Sequence, residues 1–197
     1  MSDIEFKNKF QDKYSKYFSW EQPTGKDLMN IVVATENLLM LKQAFDKYGL
    51  GFWLVFGTAL GAYRDGGFIP YDLDTDVAIF HNDIDKLFDI TDLLIEKELM
   101  PLRTFSMPDI GFKDSKDIIS GISYGKGGEY IDVYFFKKVD DKYRCLLYWA
   151  ELHQFDKLDM IGFLNKIFRV PSDTENYFVG RYGKDWKIPT KGINAAN

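Results

Sequence analysis

Three aspartates at alternate positions are the feature that most restricts how this chain can fold. Asp72, Asp74 and Asp76 lie in residues 56–80, which read FGTALGAYRDGGFIPYDLDTDVAIF. Alternate residues of a β-strand project from one face, so a strand predicted at residues 74–80 places Asp74 and Asp76 side by side, with Asp72 just before them. Like charges this close repel unless a cation lies between them. The pattern therefore indicates an all-oxygen metal site, which favours Mg²⁺ or Mn²⁺.

The neighbours of the aspartates strengthen this interpretation, because a short acidic motif also arises by chance. The apolar run GFWLVF predicts a buried strand that ends at a Gly57-Thr58 turn, and ALGAYRD predicts a short helix after it. In that order, the backbone N–H groups of the turn can face the same phosphate as the metal. A solvated acidic edge strand, which is the alternative, does not need these neighbours.

Two further charged residues are candidates for the same site. Asp132 stands in the apolar run EYIDVYFF, where an unpaired buried carboxylate would be costly. It lies either on a solvated face or against the first aspartates across neighbouring strands, where it would be a metal ligand, a general base, or both. Arg64, between the two motifs, can bind phosphate oxygens through its planar guanidinium.

Other polar residues receive plainer interpretations. Asp65 is expected at a solvated helix end, and His81 and His153 at the surface or in local hydrogen bonds. Lys126 lies in YGKGGEY, which predicts a hairpin rather than a flexible cover over phosphate. Cys145 alternates with apolar residues and is expected in the core.

Helical periodicity is clear in the first half of the chain. Apolar residues recur at helical spacing over residues 25–48, with Thr24 at the expected N-cap and Gly49 just after the end. A second helix is expected after the aspartate strand, with Asn82 as its cap.

The second half is richer in strands. Short alternating segments over residues 100–147, including LRTFSM and DIGFK, predict strands, and residues 140–142 a hairpin turn. Ser172 and Glu175 have the spacing of a capping box for a last helix that Gly183 would close. The order of elements predicts a mixed α/β or α+β fold, with a central mixed β-sheet flanked by helices.

Composition narrows the class of protein. The 197 residues, 46% of them hydrophobic, are enough for a single domain with a substantial core. The net charge of −5 excludes a general affinity for nucleic acid. One cysteine suits a reducing compartment, the N-terminal residues lack the apolar core of a secretory signal, and no apolar run is long enough to span a bilayer. We therefore expect a soluble cytoplasmic protein.

The composite motif of residues 57–80 closely resembles the signature of the LicD and fukutin-related family of nucleotidyltransferase-fold phosphotransferases. The resemblance extends from about residue 27 to residue 189, through the IDVYFF strand and the segment VPSDTENYFVGRYGKDWKIP. Tyr71 replaces the usual tryptophan, and Leu73 interrupts the usual run of acids. Leu73 points away from the aspartates, so the metal site should be intact. The matching positions are Gly57, Thr58, Leu60, Gly61, Ala62, Arg64, Gly67, Phe68, Ile69, Pro70, Asp72, Asp74 and Asp76.

The resemblance implies a nucleotidyltransferase-like fold and transfer of a phospho-substituent, such as phosphocholine or a phospho-alditol, from a CDP-activated donor to a glycan hydroxyl. It implies that Asp74, Asp76 and Asp132 hold one or two Mg²⁺ (or Mn²⁺), with Asp132 as the base. The substrate-binding residues would be Gly57, Thr58, Arg64 and Asp72.

The resemblance also implies an overall organisation. The expected divisions are an N-terminal helical extension (1–24), a catalytic core (25–189) and a tail (190–197), without the additional domains of larger relatives. Acceptors can be lipid-linked saccharides, which allows transient contact with the inner face of a membrane but no stable insertion.

Two other functions stay open at this point. A nucleotidyltransferase that places NMP on a small acceptor would use the same carboxylates. An inactive family member would bind a glycan or a partner enzyme, although such a protein has no need of all three aspartates.

Overall fold

The computed structural model describes residues 1–21, 28–106, 119–146 and 148–189. Its helices alternate with strands in the first half of the chain, as the periodicity predicts. A 3₁₀ turn follows the first helix at Ser15–Tyr17, and a second one at His81–Lys86 precedes the fourth. The α-helices are α1 (Asp3–Tyr14), α2 (Ile31–Lys47), α3 (Phe56–Arg64), α4 (Leu87–Glu96), α5 (His153–Asp156) and α6 (Thr174–Tyr182).

The strands form one mixed sheet and a separate hairpin. They are β1 (Phe52–Leu54), β2 (Thr75–Phe80), β3 (Met100–Phe105), β4 (Gly121–Lys126), β5 (Glu129–Val139), β6 (Lys142–Cys145), β7 (Tyr148–Glu151), β8 (Asp159–Phe163) and β9 (Lys166–Val170). The main order is β1-β2-β5-β4-β3, β6 and β7 continue from the end of β5, and β8 pairs with β9 alone. The expected mixed sheet flanked by helices is confirmed.

The pair β2 and β5 lies at the centre of the sheet and is parallel, whereas β1 with β2, β4 with β5 and β3 with β4 are antiparallel. Strand β2 is buried except at Phe80, and β5 is buried from Ile131 to Phe136. A parallel pair requires a crossover connection, and the helices and strands between residues 80 and 129 provide it. Residues far apart in sequence are thereby brought into direct register.

Helix α1 packs its apolar face into the same core as the sheet. Phe6, Phe10 and Tyr14 recur every fourth residue and are fully buried. Phe6 and Phe10 both contact Phe88 of α4, with ring centroids 5.2 and 5.7 Å away. The Tyr14 hydroxyl donates to the Phe88 carbonyl at 2.7 Å. The N-terminal helix is therefore anchored by aromatic contacts, and the predicted division at residue 24 stays a prediction.

Helix α2 begins later than predicted. Asn30 is its N-cap and accepts a hydrogen bond from the Val33 N–H at 3.3 Å, while the Asn30 N–H donates to Glu129 of β5 at 2.8 Å. The expected cap, Thr24, lies outside the described residues, as do the start of the predicted helix and the predicted strand at residues 109–113. Gly49 follows the helix with a positive φ of 62°, as predicted for that position.

Helix α3 begins earlier than predicted. Phe56 has a positive φ of 47° and starts the helix, so Gly57 and Thr58 form its first turn instead of a separate turn. Because the Phe56 N–H donates to the Tyr177 hydroxyl at 3.1 Å, a tertiary contact fixes this start. Local sequence gives no signal for such a contact.

Two predicted caps are wrong, and both predicted hairpins are confirmed. Asp173, not Ser172, precedes α6, and the Ser172 hydroxyl instead donates to the His153 carbonyl at 2.7 Å. Asn82 lies inside the 3₁₀ turn and does not cap α4. Hairpins join β4 to β5 and β5 to β6, and Gly183 ends α6 as expected. No helix in the described part of the chain is long and apolar enough to cross a bilayer.

Candidate active site

The register of the central strands creates a row of polar side chains. Asp76 of β2 lies directly opposite Asp132 of β5, and Asp132 lies opposite Ser123 of β4. All three are buried. Of the two placements open for Asp132, the structure therefore has the one beside the first aspartates.

The three alternate aspartates converge. One carboxylate oxygen each from Asp72, Asp74 and Asp76 can be chosen so that all lie within 4.8 Å of one another. The predicted pair is confirmed as neighbours, and Asp72, for which the resemblance implies substrate binding, belongs to the same group. Asp132 is not in this tight group, but the charge of Asp74 raises its pKa, and its own charge raises the pKa of Asp76.

The electrostatics of the cluster are compatible with a bound cation. Burial, followed by the charge of Asp72, raises the pKa of Asp74 to about 7. Burial raises the pKa of Asp132 to about 6 and also raises that of Asp72. Burial and the charges of Asp74, Asp72 and Asp132 raise the pKa of Asp76 well above its usual range. Carboxylates that are half-buried or buried and repel in this way fit a hard divalent cation, which would return them to the charged form.

Gly57 and Thr58 hold Asp76 in place. The Gly57 N–H donates to Asp76 Oδ2 at 3.1 Å, and the Asp76 N–H donates to Thr58 Oγ1 at 2.8 Å. A Cβ at position 57 would lie 2.1 Å from Asp72 Oδ2, so only glycine allows this approach. The Gly-Thr pair thus positions the aspartates, and its predicted contact with phosphate stays a prediction.

Arg64 is paired with its neighbour along the chain. Its Nε and Nη2 donate to the two carboxylate oxygens of Asp65 at 2.9 and 2.7 Å, and its Nη1 donates to the Trp186 carbonyl at 3.4 Å. Asp65 is an exposed residue at the end of α3, as expected, and it is also the ion-pair partner of Arg64. The phosphate-binding role predicted for Arg64 would require its guanidinium to leave this pair.

Arg103 of β3 is a site residue that the sequence reasoning missed. Its Nε donates to Ser123 Oγ at 2.8 Å, and its Nη2 lies 3.5 Å from Asp132 Oδ2. Its guanidinium carbon is 3.4 Å from the centre of the Trp20 ring. The available signal was a lone arginine in a short strand, which gives no indication of which strand it will face.

Arg181 of α6 was also missed, within the C-terminal segment that shares the family resemblance. Its guanidinium carbon lies 4.7 Å from the ring centre of Phe56 and 5.6 Å from that of Tyr148. Its Nε is buried and has no hydrogen-bond partner among the described residues. After burial, the charge of Asp76 contributes to the raised pKa of the next residue, Tyr182, so the end of α6 adjoins the aspartates.

Comparison with known proteins now adds to this geometry. A model of the LicD/FKTN/FKRP nucleotidyltransferase domain matches residues 49–173. The chain belongs to this family. Asp72, Asp74, Asp76 and Asp132 all lie inside the matched range, whereas Trp20 and Arg181 lie outside it.

Proteins of similar sequence include named transferases. Ribitol-5-phosphate transferase FKTN of Homo sapiens is 31% identical over 176 residues, which cover 80% of this chain and 34% of that protein. The FKTN protein of Mus musculus is 30% identical over the same length. The uncharacterized protein RT0683 of Rickettsia typhi is 28% identical over 102 residues, which are 52% of this chain and 28% of that protein. The chain thus spans about a third of the length of the transferases it matches.

Two solved structures of the antibiotic-resistance factor ANT(2″)-Ia are also similar. The solution structure has a TM-score of 0.49 and 17% identity, covering 72% of this chain and 66% of that one. The crystal structure with adenylyl-2″-tobramycin has a TM-score of 0.47 and 18% identity, covering 73% and 75%. The fold assignment rests on the sheet topology and on the family model.

Proposed function

We propose that this protein is a metal-dependent phosphotransferase that moves a phospho-substituent from a CDP-activated donor to a hydroxyl of a glycan or lipid-linked saccharide. The transferred group would be phosphocholine, phospho-glycerol, phospho-ribitol or a similar one. The observation that carries the proposal is the convergence of Asp72, Asp74 and Asp76 beside Asp132, in a chain whose named relatives are ribitol-5-phosphate transferases.

The donor set favours Mg²⁺ or Mn²⁺, because every candidate ligand is a carboxylate oxygen. We assign Asp74 and Asp76 as ligands, with Asp132 and Asp72 as the further carboxylates for one or two ions. A bound divalent ion would offset the charge of the donor diphosphate and of the leaving group.

Asp132 is the proposed general base. Its Oδ2 would accept the proton of the acceptor hydroxyl as the new oxygen–phosphorus bond forms and the bond to the CMP leaving group breaks. The hydrogen bond from Ser123 occupies Oδ1, which leaves Oδ2 for this task.

Cations and N–H groups nearby would bind the donor phosphates. We propose Gly57, Thr58 and Arg64 for this role on the basis of the family signature, and Arg181 because its buried Nε has no partner in the described structure. Because Arg64 is held by Asp65, it would act only after exchanging that carboxylate for phosphate. The cytoplasmic location expected from the sequence as a whole stays a prediction.

A donor screen tests the proposal. The chain would be incubated with Mg²⁺ or Mn²⁺ and, separately, CDP-choline, CDP-glycerol, CDP-ribitol or nucleoside triphosphates, with and without acceptor glycans. Release of CMP that depends on the acceptor supports the transferase. Release of pyrophosphate from a triphosphate would show a nucleotidyltransferase instead.

Variants separate an active enzyme from an inactive binding protein. Asp76→Asn should abolish turnover, whereas Asp159→Asn on the exposed part of β8 should leave it unchanged. If neither a metal ion nor a cytidine nucleotide shifted the thermal unfolding temperature, and no donor were turned over, the inactive family member would be the better description.

A further inference from the structure

We infer that the N-terminal segment, residues 1–21, is part of the active site. Trp20 of this segment holds Arg103, and Arg103 and Ser123 together orient the Asp132 carboxylate. The three residues are thus positioning residues for the site on which the proposed function rests. Trp20 lies outside the range matched by the family model, residues 49–173. This contribution to the site is therefore separate from the family signature.

The first step is the hydrogen bond between Ser123 and Asp132. The two residues face each other across β4 and β5, and the Ser123 hydroxyl donates to Asp132 Oδ1. Ser123 is fully buried. One oxygen of Asp132 is thereby fixed, and with it the orientation of the carboxylate plane.

The second step is the direction of that hydrogen bond. A serine hydroxyl can donate one hydrogen bond and accept two. Because the Arg103 Nε–H donates to Ser123 Oγ at 2.8 Å, the oxygen is already an acceptor, and its own proton is directed to Asp132. Arg103 thus helps to fix the orientation of the Ser123 hydroxyl that donates to the Asp132 carboxylate.

The third step concerns the other oxygen of Asp132. Its Oδ2 lies 3.5 Å from both Arg103 Nη2 and the Tyr134 hydroxyl. These distances are too long for strong hydrogen bonds. Oδ2 is therefore the oxygen left for a metal ion or an acceptor hydroxyl, whereas Oδ1 is held by Ser123.

The position of Arg103 itself depends on the strand that carries it. A register shift between Pro101 and Arg103 interrupts the pairing of β3 with β4 and sets Arg103 directly opposite Ser123. Irregularities of this kind re-aim side chains near functional sites. The strand alone does not fix so long a side chain, because Arg103 is about 30% exposed.

Two aromatic rings constrain the Arg103 guanidinium, and Trp20 is much nearer to it than Phe105, which lies 5.2 Å away. The Arg103 guanidinium stacks on the Trp20 ring at 3.4 Å, and the Trp20 ring meets Tyr130 edge-on at 4.8 Å. Tyr130 is two residues before Asp132 on β5, so its side chain is on the same face of the sheet. Helix α1 anchors this segment in the core and contacts β3, where Gln11 donates to Thr104 at 2.9 Å.

Mn²⁺ binding by the full chain, measured by isothermal titration calorimetry without substrate, tests the inference. Ser123→Ala should weaken Mn²⁺ binding by about 10-fold or more, as the loss of an orienting partner of a ligand commonly does. Trp20→Ala should weaken it by about 2- to 5-fold, which corresponds to one exposed cation–π contact. Trp20→Phe, which keeps an aromatic ring, should recover most of this loss.

The double variant distinguishes positioning from a general structural effect. If Trp20 acts through Arg103 and Ser123, Trp20→Ala should cause no further loss of Mn²⁺ affinity in the Ser123→Ala background. Independent effects would multiply instead, and such a result would overturn the inference. Trp149→Ala is the matched control. It removes a ring of β7 that contacts Arg144 of β6, and it should leave the affinity for Mn²⁺ unchanged.

The outcomes also separate this inference from the proposed function. If Asp76→Asn abolishes Mn²⁺ binding while Ser123→Ala and Trp20→Ala bind it normally, the metal site stands and the positioning role falls. If the wild-type chain binds no Mn²⁺, both fall. Thermal unfolding of each variant in EDTA identifies any that lose affinity only because they are unfolded.

Discussion

Replacing Asp74 by asparagine should stabilise the metal-free protein at neutral and alkaline pH. In the folded chain, burial and the charge of Asp72 raise the pKa of Asp74 from 3.8 to about 7. An acid whose pKa is raised on folding contributes stability below its unfolded pKa, and loses it as the pH rises through its folded pKa. Asparagine keeps the shape of the side chain and removes this penalty.

The size of the effect follows from the pKa. Each pKa unit is worth about 1.4 kcal/mol, so the rise from 3.8 to about 7 corresponds to about 4 kcal/mol at pH 8. This is an upper bound, because Asp72 and Asp74 share a hydrogen bond and one proton can lie on either carboxyl. At pH 4 the group is protonated in the folded state, and the difference should be close to zero.

Urea unfolding monitored by tryptophan fluorescence, in EDTA at pH 4, 6 and 8, measures this difference. Mn²⁺ should narrow this difference, because a ligand at about 100 times its Kd stabilises the wild type by about 2.7 kcal/mol and the variant lacks a ligand. Asp159→Asn, at an exposed position, is the control. An Asp74→Asn variant no more stable than wild type at pH 8 in EDTA would refute the electrostatic account of the site, as would an equal gain at pH 4.

Three further changes test other parts of the structure. Asp76→Asn should lower kcat by about 10³-fold or more, as removal of one member of a catalytic unit can, with native circular dichroism retained; near-normal turnover would exclude Asp76 from the site. Gly57→Ala should weaken Mn²⁺ binding and cost about 1–3 kcal/mol of stability, because the added Cβ would meet Asp72 Oδ2; Gly162→Ala, where the Cβ meets open space, is its control. Phe10→Ala should lower the free energy of unfolding by about 3–5 kcal/mol, because Phe10 is fully buried; a loss below about 1 kcal/mol would contradict its place in the core.

The sequence predicted the elements of the fold better than their ends. Apolar spacing correctly placed α2, the aspartate strand and the strand with Asp132, since burial of one face is a local pattern. The start of α2 was wrong because its cap, Asn30, is held by Glu129, which is 99 residues away. The start of α3 was placed too late for the same reason, since the bond from Phe56 to Tyr177 joins distant segments.

The sequence by itself determined the chemistry of the candidate site. The alternating aspartates share one face because of strand geometry, and carboxylates that lie so close favour a bound cation. A Cβ at position 57 would meet Asp72, so this position needs glycine. The tertiary structure decided which other residues meet them. Parallel pairing set Asp132 beside Asp76, and the edge strand and N-terminal segment brought Arg103 and Trp20 to Ser123. Local spacing fixes which side chains share a face, whereas strand order and register depend on long-range packing that no short stretch of sequence encodes.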